Sequence, residues 1–143
     1  MKNMIRFGLV VSTIMFMVAD ASALTAEDEN GVVWTYSVVN DEVTIGNGSS
    51  AAIPTTTSGD IEVPSTIAGY PVKKIAAYAF QNCRLVERIV VPKSVQSIGY
   101  GVFASCAGLK ELTIPFIGSG RGNGGTSDAI FSYFFEETVK GID

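Results

Sequence analysis

The stretch Ile75-Ala76-Ala77-Tyr78-Ala79-Phe80-Gln81-Asn82-Cys83-Arg84-Leu85-Val86-Glu87-Arg88-Ile89-Val90-Val91-Pro92 returns further along the chain as Ile98-Gly99-Tyr100-Gly101-Val102-Phe103-Ala104-Ser105-Cys106-Ala107-Gly108-Leu109-Lys110-Glu111-Leu112-Thr113-Ile114-Pro115. Ile75/Ile98, Phe80/Phe103, Cys83/Cys106, Val86/Leu109, Ile89/Leu112, Val91/Ile114 and Pro92/Pro115 recur at one constant offset of 23, and Tyr78/Tyr100 recur one position out of register. Self-similarity at a fixed period outranks local propensity, because each unit buries its apolar face only by stacking on the next copy.

Inside the unit, Val86-x-x-Ile89-x-Val91 and Leu109-x-x-Leu112-x-Ile114 follow the L-x-x-L-x-L strand core of leucine-rich repeats, and the offset falls within the period of that class. Alternating apolar residues point inward from a short strand, and Pro92 or Pro115, which cannot donate a ladder hydrogen bond, ends it. The preceding Tyr-x-Phe-x-x-Cys segment supplies the opposite wall as one or two helical turns, with Phe80 and Phe103 stacked in the core. The expected repeat core is therefore Ile75, Phe80, Cys83, Val86, Ile89, Val91, Ile98, Phe103, Cys106, Leu109, Leu112 and Ile114. Between those positions Glu87, Arg88, Val90, Lys110, Glu111 and Thr113 project to solvent and form the candidate partner surface.

Val91-Pro92-Lys93-Ser94-Val95-Gln96-Ser97-Ile98-Gly99-Tyr100-Gly101-Val102-Phe103-Ala104-Ser105-Cys106-Ala107-Gly108-Leu109 resembles the BspA-like leucine-rich repeat, I-P-x-S-V-x-x-I-G-x-x-A-F-x-x-C-x-x-L. The earlier copy departs mildly: Val63-Pro64-Ser65-Thr66-Ile67 is followed by an added Ala68-Gly69-Tyr70-Pro71-Val72, and Ala76 stands where the pattern prefers Gly. The addition is similar to the segment that often opens the first full repeat in this family, which suggests that the array starts there. The resemblance covers residues 61–115 firmly and 31–60 loosely. It implies a bacterial exported protein that binds host proteins, matrix or other cells.

Outside the repeats, Lys2 and Arg6 precede an apolar run from Phe7 to Ala19, and Ala21-Ser22-Ala23 places small residues at the cleavage-determining positions. This reads as a secretory signal peptide cleaved after Ala23. A membrane anchor is the competing reading, but the run spans only about 20 Å of a roughly 30 Å hydrocarbon core, and Asp20 closes it. Losing Lys2, Arg6 and Asp20 takes the net charge from −4 to −5. The expected location is secreted or cell-surface, with no stable membrane insertion after cleavage.

Residues 31–60 read as the cover an open solenoid end needs. Trp34-Thr35-Tyr36-Ser37-Val38, a turn at Asn40-Asp41 and Val43-Thr44-Ile45 give a β-hairpin, with Trp34 and Tyr36 over the first coil. An exposed aromatic platform for sugar is the functional alternative for Trp34. Gly46 to Asp60 reads as a loop carrying the sequon Asn47-Gly48-Ser49. After Ile114-Pro115-Phe116-Ile117 comes a Gly-rich loop, and then Asp128 to Lys140 as a capping helix with Ser127 as N-cap and Ile130, Phe131, Phe134 and Phe135 on one face.

Several chemistries lack their parts. The sequence has no His, so imidazole triads and His-containing metal sites are excluded, and Lys and Arg are scattered, unlike a nucleic-acid footprint. Gly120-x-Gly122-x-x-Gly125 matches a dinucleotide fingerprint, but the short stretch from Thr126 to Asp143 leaves no room for a second strand or the ribose-binding acid. Cys83 and Cys106 occupy one position in consecutive coils, roughly 4.8 Å apart, which permits a disulfide. Their parallel Cβ vectors favour a buried thiol ladder. Glu136-Glu137 diverge on a helix and give no glycosidase pair.

The expected fold is mainly β with short helical turns: a short leucine-rich-repeat solenoid of about 23-residue repeats with an N-terminal β-hairpin cap and a C-terminal helical cap. Its divisions are a signal peptide (1–23), cap and loop (24–60), repeats (61–117) and a Gly-rich loop with a capping segment (118–143). No catalytic, cofactor or metal residue is assigned and no enzyme activity is expected. The expected role is binding a protein or cell-surface ligand, with self-association through the solenoid ends as a further route. The alternative is a structural, degenerate solenoid without independent binding.

Overall fold

The computed structural model describes residues 23–117, 119–120 and 132–135. The expected signal peptide, the Gly-rich loop and both ends of the expected C-terminal helix lie outside the described residues. Among the described residues the elements follow in chain order: β1 (Leu24–Glu27), β2 (Val33–Val39), β3 (Glu42–Ile45), β4 (Gly59–Glu62), β5 (Thr66–Ile67), β6 (Tyr70–Ile75), β7 (Val86–Val90), β8 (Ser97–Ile98), β9 (Glu111–Thr113) and the short helix α1 (Ser132–Phe135).

Two parallel ladders run along the molecule. In one, β3, β6 and β8 align Ile45, Ile75 and Ile98. In the other, β4, β7 and β9 align Ile61, Ile89 and Leu112. One strand from each ladder makes a coil, so three coils stack: Glu42–Val63, Tyr70–Val91 and Ser97–Ile114. The first was not visible as a coil in the sequence. Gly46 to Asp60, expected as a loop, crosses from one ladder to the other, burying Ala52 and Ile53 on the way. The Ala68–Val72 addition makes the tight β5–β6 hairpin, with Ala68 and Gly69 both at positive φ.

The third wall of the coil corrects the expectation of helical turns. Tyr78 N–H donates to Tyr100 O, Phe80 N–H to Val102 O and Asn82 N–H to Ala104 O, each at 2.9–3.1 Å. These amides bond the next coil rather than their own preceding turn, so an α-helix cannot form. Tyr78 and Asn82 take left-handed φ of 59° and 61°, and their equivalents Gly101 and Ser105 take 59° and 58°. Tyr78 therefore corresponds to Gly101, which explains the tyrosine register slip. A Cβ on Gly101 would lie 2.6 Å from the Tyr78 ring, and the bare glycine leaves room for Tyr78 to meet Tyr100 edge-on at 6.0 Å.

Aromatic rings form the axis. Trp34 meets Phe80 edge-on at 6.1 Å, Phe80 stacks on Phe103 at 5.7 Å and 18°, and Phe103 meets Phe134 of α1 at 6.0 Å. Trp34 is 1% exposed, so the sugar-platform alternative is excluded. Its Nε1–H donates to Asp28 Oδ2, while Asp28 Oδ1 accepts from the amides of Asn30 and Val32. The expected hairpin is present as β2 and β3, with Asn40 and Asp41 at φ 51° and 61°, the conformation a two-residue type I′ turn needs. β1 adds to its outer edge, pairing Leu24 with Tyr36.

Candidate functional site

Strands β7 and β9 follow the apolar-x-x-apolar-x-apolar pattern and β4 keeps only its second half, Ile61-x-Val63; in β7 the pattern turns Val86, Ile89 and Val91 inward at 0–3% exposure and leaves the intervening residues outside. Their outer face brings together all six expected surface residues. Parallel register puts Arg88 beside Glu111 and Val90 beside Thr113, and the Lys110 amide donates to Glu87 O at 2.8 Å. The same register adds Asp60 beside Arg88 and Glu62 beside Val90. These two acids are not among the six expected residues, because Gly46 to Asp60 reads as a loop in the sequence. The signal was there: Val63-Pro64 repeats Val91-Pro92, which carries Asp60 and Glu62 onto the strand beside Arg88 and Val90.

The charges pair laterally between coils. Arg88 Nη1 lies 3.7 Å from Asp60 Oδ2, Arg88 Nε lies 3.6 Å from Glu111 Oε1, and Lys110 Nζ lies 3.0 Å from Glu87 Oε1. All five side chains are about half exposed or more, so each pair contributes only ~0–1 kcal/mol. Their value is positional: the heads are spaced by the strand repeat on a rigid sheet. Four carboxylates (Asp60, Glu62, Glu87 and Glu111) face two cations (Arg88 and Lys110), so the strip is acidic.

Nine expected core residues, from Ile75 to Cys106, are buried, whereas Leu109, Leu112 and Ile114 are only half-buried. Among the described residues no strand pairs with the outer edge of β9, whereas the other two walls of this coil are met by Ser119, whose carbonyl accepts from the Ile98 amide, and by Phe134, whose carbonyl accepts from the Phe103 amide.

Cys83 and Cys106 are buried and not bonded to each other. Burial pushes the Cys83 thiol up to about 12, with the neighbouring Cys106 adding to the rise. Burial likewise raises Cys106 to about 11, opposed by a hydrogen bond from the Cys83 backbone. Cys106 Sγ donates to Phe80 O at 3.0 Å. Thiols held protonated in this way are poor nucleophiles and poor metal ligands. Among the described residues, no group of three or more His, Cys, Asp or Glu is placed to hold a metal ion. On the opposite sheet, a shallow open depression lined by Ser37, Thr44, Gly46, Asn47 and Gly48 contains no titratable group. The arrangement offers contact rather than chemistry.

Residues 59–120 match the family described as BspA type leucine-rich repeat region (six copies). With units spaced as Phe80 and Phe103 are, that span holds fewer than three copies. No curated protein and no solved structure matches the chain.

Proposed function

From a chain whose residues 59–120 belong to the BspA-type leucine-rich repeats, we propose an exported binding module that holds a protein or cell-surface partner on the outer face of β4, β7 and β9. Membership in a repeat family that is usually non-catalytic supports binding over catalysis. The observation that carries the reading is the outer face itself: Glu87, Arg88, Val90, Lys110, Glu111 and Thr113 share one sheet surface with Asp60 and Glu62. The hydrogen-bonded strands hold the backbone of this face in place before a partner arrives, which lowers the ordering cost of binding. The β1–β2 hairpin acts as the N-terminal cap and the α1 aromatics cover part of the other end. Export rests on the Lys2–Ala23 signal pattern.

The labelled protein, titrated onto purified matrix proteins and onto intact cells, tests this reading. Arg88→Ala with Lys110→Ala should weaken binding at an unchanged melting temperature, whereas wild-type binding by that variant would remove the face from consideration. Intact-mass analysis after expression in a secreting host tests export, with a mature chain starting at Leu24 as the expected result.

The half-buried Leu109, Leu112 and Ile114 favour a second reading, a structural element that works only with further coils or self-association. Molar mass and far-UV circular dichroism of the chain over a dilution series separate the two. A folded monomer supports the independent module, and a concentration-dependent species supports the assembly.

A further inference from the structure

The β4–β7–β9 sheet has an outer edge on β9, where among the described residues no further strand pairs. An edge strand presents a row of backbone N–H and C=O groups to any extended segment that fits it. Beneath this edge, Leu112 and Ile114 are half-buried, although their counterparts one coil earlier, Ile89 and Val91, are 0% and 3% exposed. Apolar surface and backbone pairing capacity therefore coincide at one place.

The charges specify what fits there. Across the sheet one column reads Asp60, Arg88, Glu111, alternating in sign, and it ends on an acid. The neighbouring column reads Glu87, Lys110 and ends on a base. A strand added in parallel register continues both alternations only if it carries an acid beside Lys110 and a base beside Glu111. Continuing the buried columns of Leu112 and Ile114 then requires apolar residues one and three positions after that base.

We infer that β9 is an acceptor edge for an extended segment of another polypeptide, added as a parallel strand with the pattern acid–base–apolar–any–apolar. This goes beyond the face-binding reading, because it uses the sheet's edge rather than its outer surface. The pattern is that of Glu87-Arg88-Ile89-Val90-Val91 in the preceding coil, a strand of this molecule that already complements Lys110 and Glu111 from the other side. Head-to-tail addition of a second copy fits poorly. Its β4 would set Asp60 against Glu111, and its Ile61 and Val63 are already buried at 3% and 2%. The exposed charges select register and partner, while the apolar columns and main-chain bonds hold the strand.

The test uses the full chain and two labelled peptides: residues 84–92 of this sequence, and the same peptide with Glu87→Arg and Arg88→Glu. Fluorescence anisotropy should show the first peptide binding about tenfold more tightly than the second, with the order reversed on a Lys110→Glu, Glu111→Lys protein. Amide exchange should slow at Glu111–Thr113 and not at Gly59–Glu62. Equal affinities, binding to neither peptide at millimolar concentration, or protection at β4 would each overturn the inference. A concentration-dependent dimer that excludes the peptide would also overturn it, by assigning the edge to a second copy. If the double-reversed protein fails to fold, the two peptides on the unaltered chain still decide.

Discussion

At the N-terminal end, β1 and β2 lie beside the first coil, and Trp34, Tyr36, Ile61 and Val63 are all buried; at the C-terminal end, Leu109, Leu112 and Ile114 occupy core positions and remain only partly buried. Both ends belong to the same kind of coil. What separates them is the covering element: a paired antiparallel hairpin with a Trp34 anchor on one side, and the rings of Phe134 and Phe135 on the other. Those rings cover Phe103 but leave the β9 edge unpaired among the described residues. Position in the stack, more than residue type, therefore sets how much each side chain contributes.

The largest effect should come from the axis itself. Phe80→Ala and Phe103→Ala should each cost about 3–5 kcal/mol in chemical denaturation. Equal losses would show that Phe134 and Phe135 shield their neighbour as well as Trp34 does, and no loss at Phe103 would remove the ring stack as the axis of the fold.

The equivalent pair Ile89 and Leu112 measures the asymmetry directly. Ile89→Ala should cost about 2–5 kcal/mol and Leu112→Ala less, because part of that side chain is already in water. Equal values would mean that the last coil is closed in solution. At the other end, Asp28→Ala leaves the buried Trp34 Nε1–H without its acceptor and should cost about 1–3 kcal/mol, with a red-shifted tryptophan emission as the local readout.

Alkaline titration compares centre and end once more. Cys83 rises from an ordinary 9.0 to about 12 and Cys106 to about 11. The unfolded chain then loses these protons first, so their stabilisation is complete below about pH 9 and declines as pH climbs towards 11–12. A Cys83→Ala, Cys106→Ala protein should postpone that decline until Tyr36, raised from 10.0 to about 12 by burial, becomes the leading group. An unchanged pH profile would mean that the thiols are solvated. The smallest effect belongs to the face: Arg88→Ala should shift stability by less than about 1 kcal/mol, since its two carboxylate partners are exposed.

The second and third coils were legible because Phe80/Phe103, Cys83/Cys106 and the strand residues return at one constant spacing. The first coil was hidden by its own spacing. The steps from Ile45 to Ile75 and from Ile61 to Ile89 are unequal, both are longer than the step from Phe80 to Phe103, and the first coil has no Phe or Cys to mark its third wall. Ala52, whose amide donates to Ala79 O, stands at that level instead, and its small side chain leaves space for Trp34 to reach Phe80. The third wall differs from the expected helical turns because spacing alone does not reveal left-handed residues. Tyr78 adopts that conformation despite its bulk, and only its alignment with Gly101 discloses it. Six residues of the outer face were legible from strand alternation, whereas Asp60 and Glu62 depended on recognising the irregular first coil.

The lateral charge column gives the array a second rhythm. The backbone repeats at every coil, but the sign at the position of Asp60, Arg88 and Glu111 repeats only at every second coil. Excising the middle coil would bring Asp60 against Glu111, two like charges one strand apart, while excising two adjacent coils from a longer array of this kind would leave the alternation intact. At this one column, a length change by a single coil sets like charges side by side and a change by two does not.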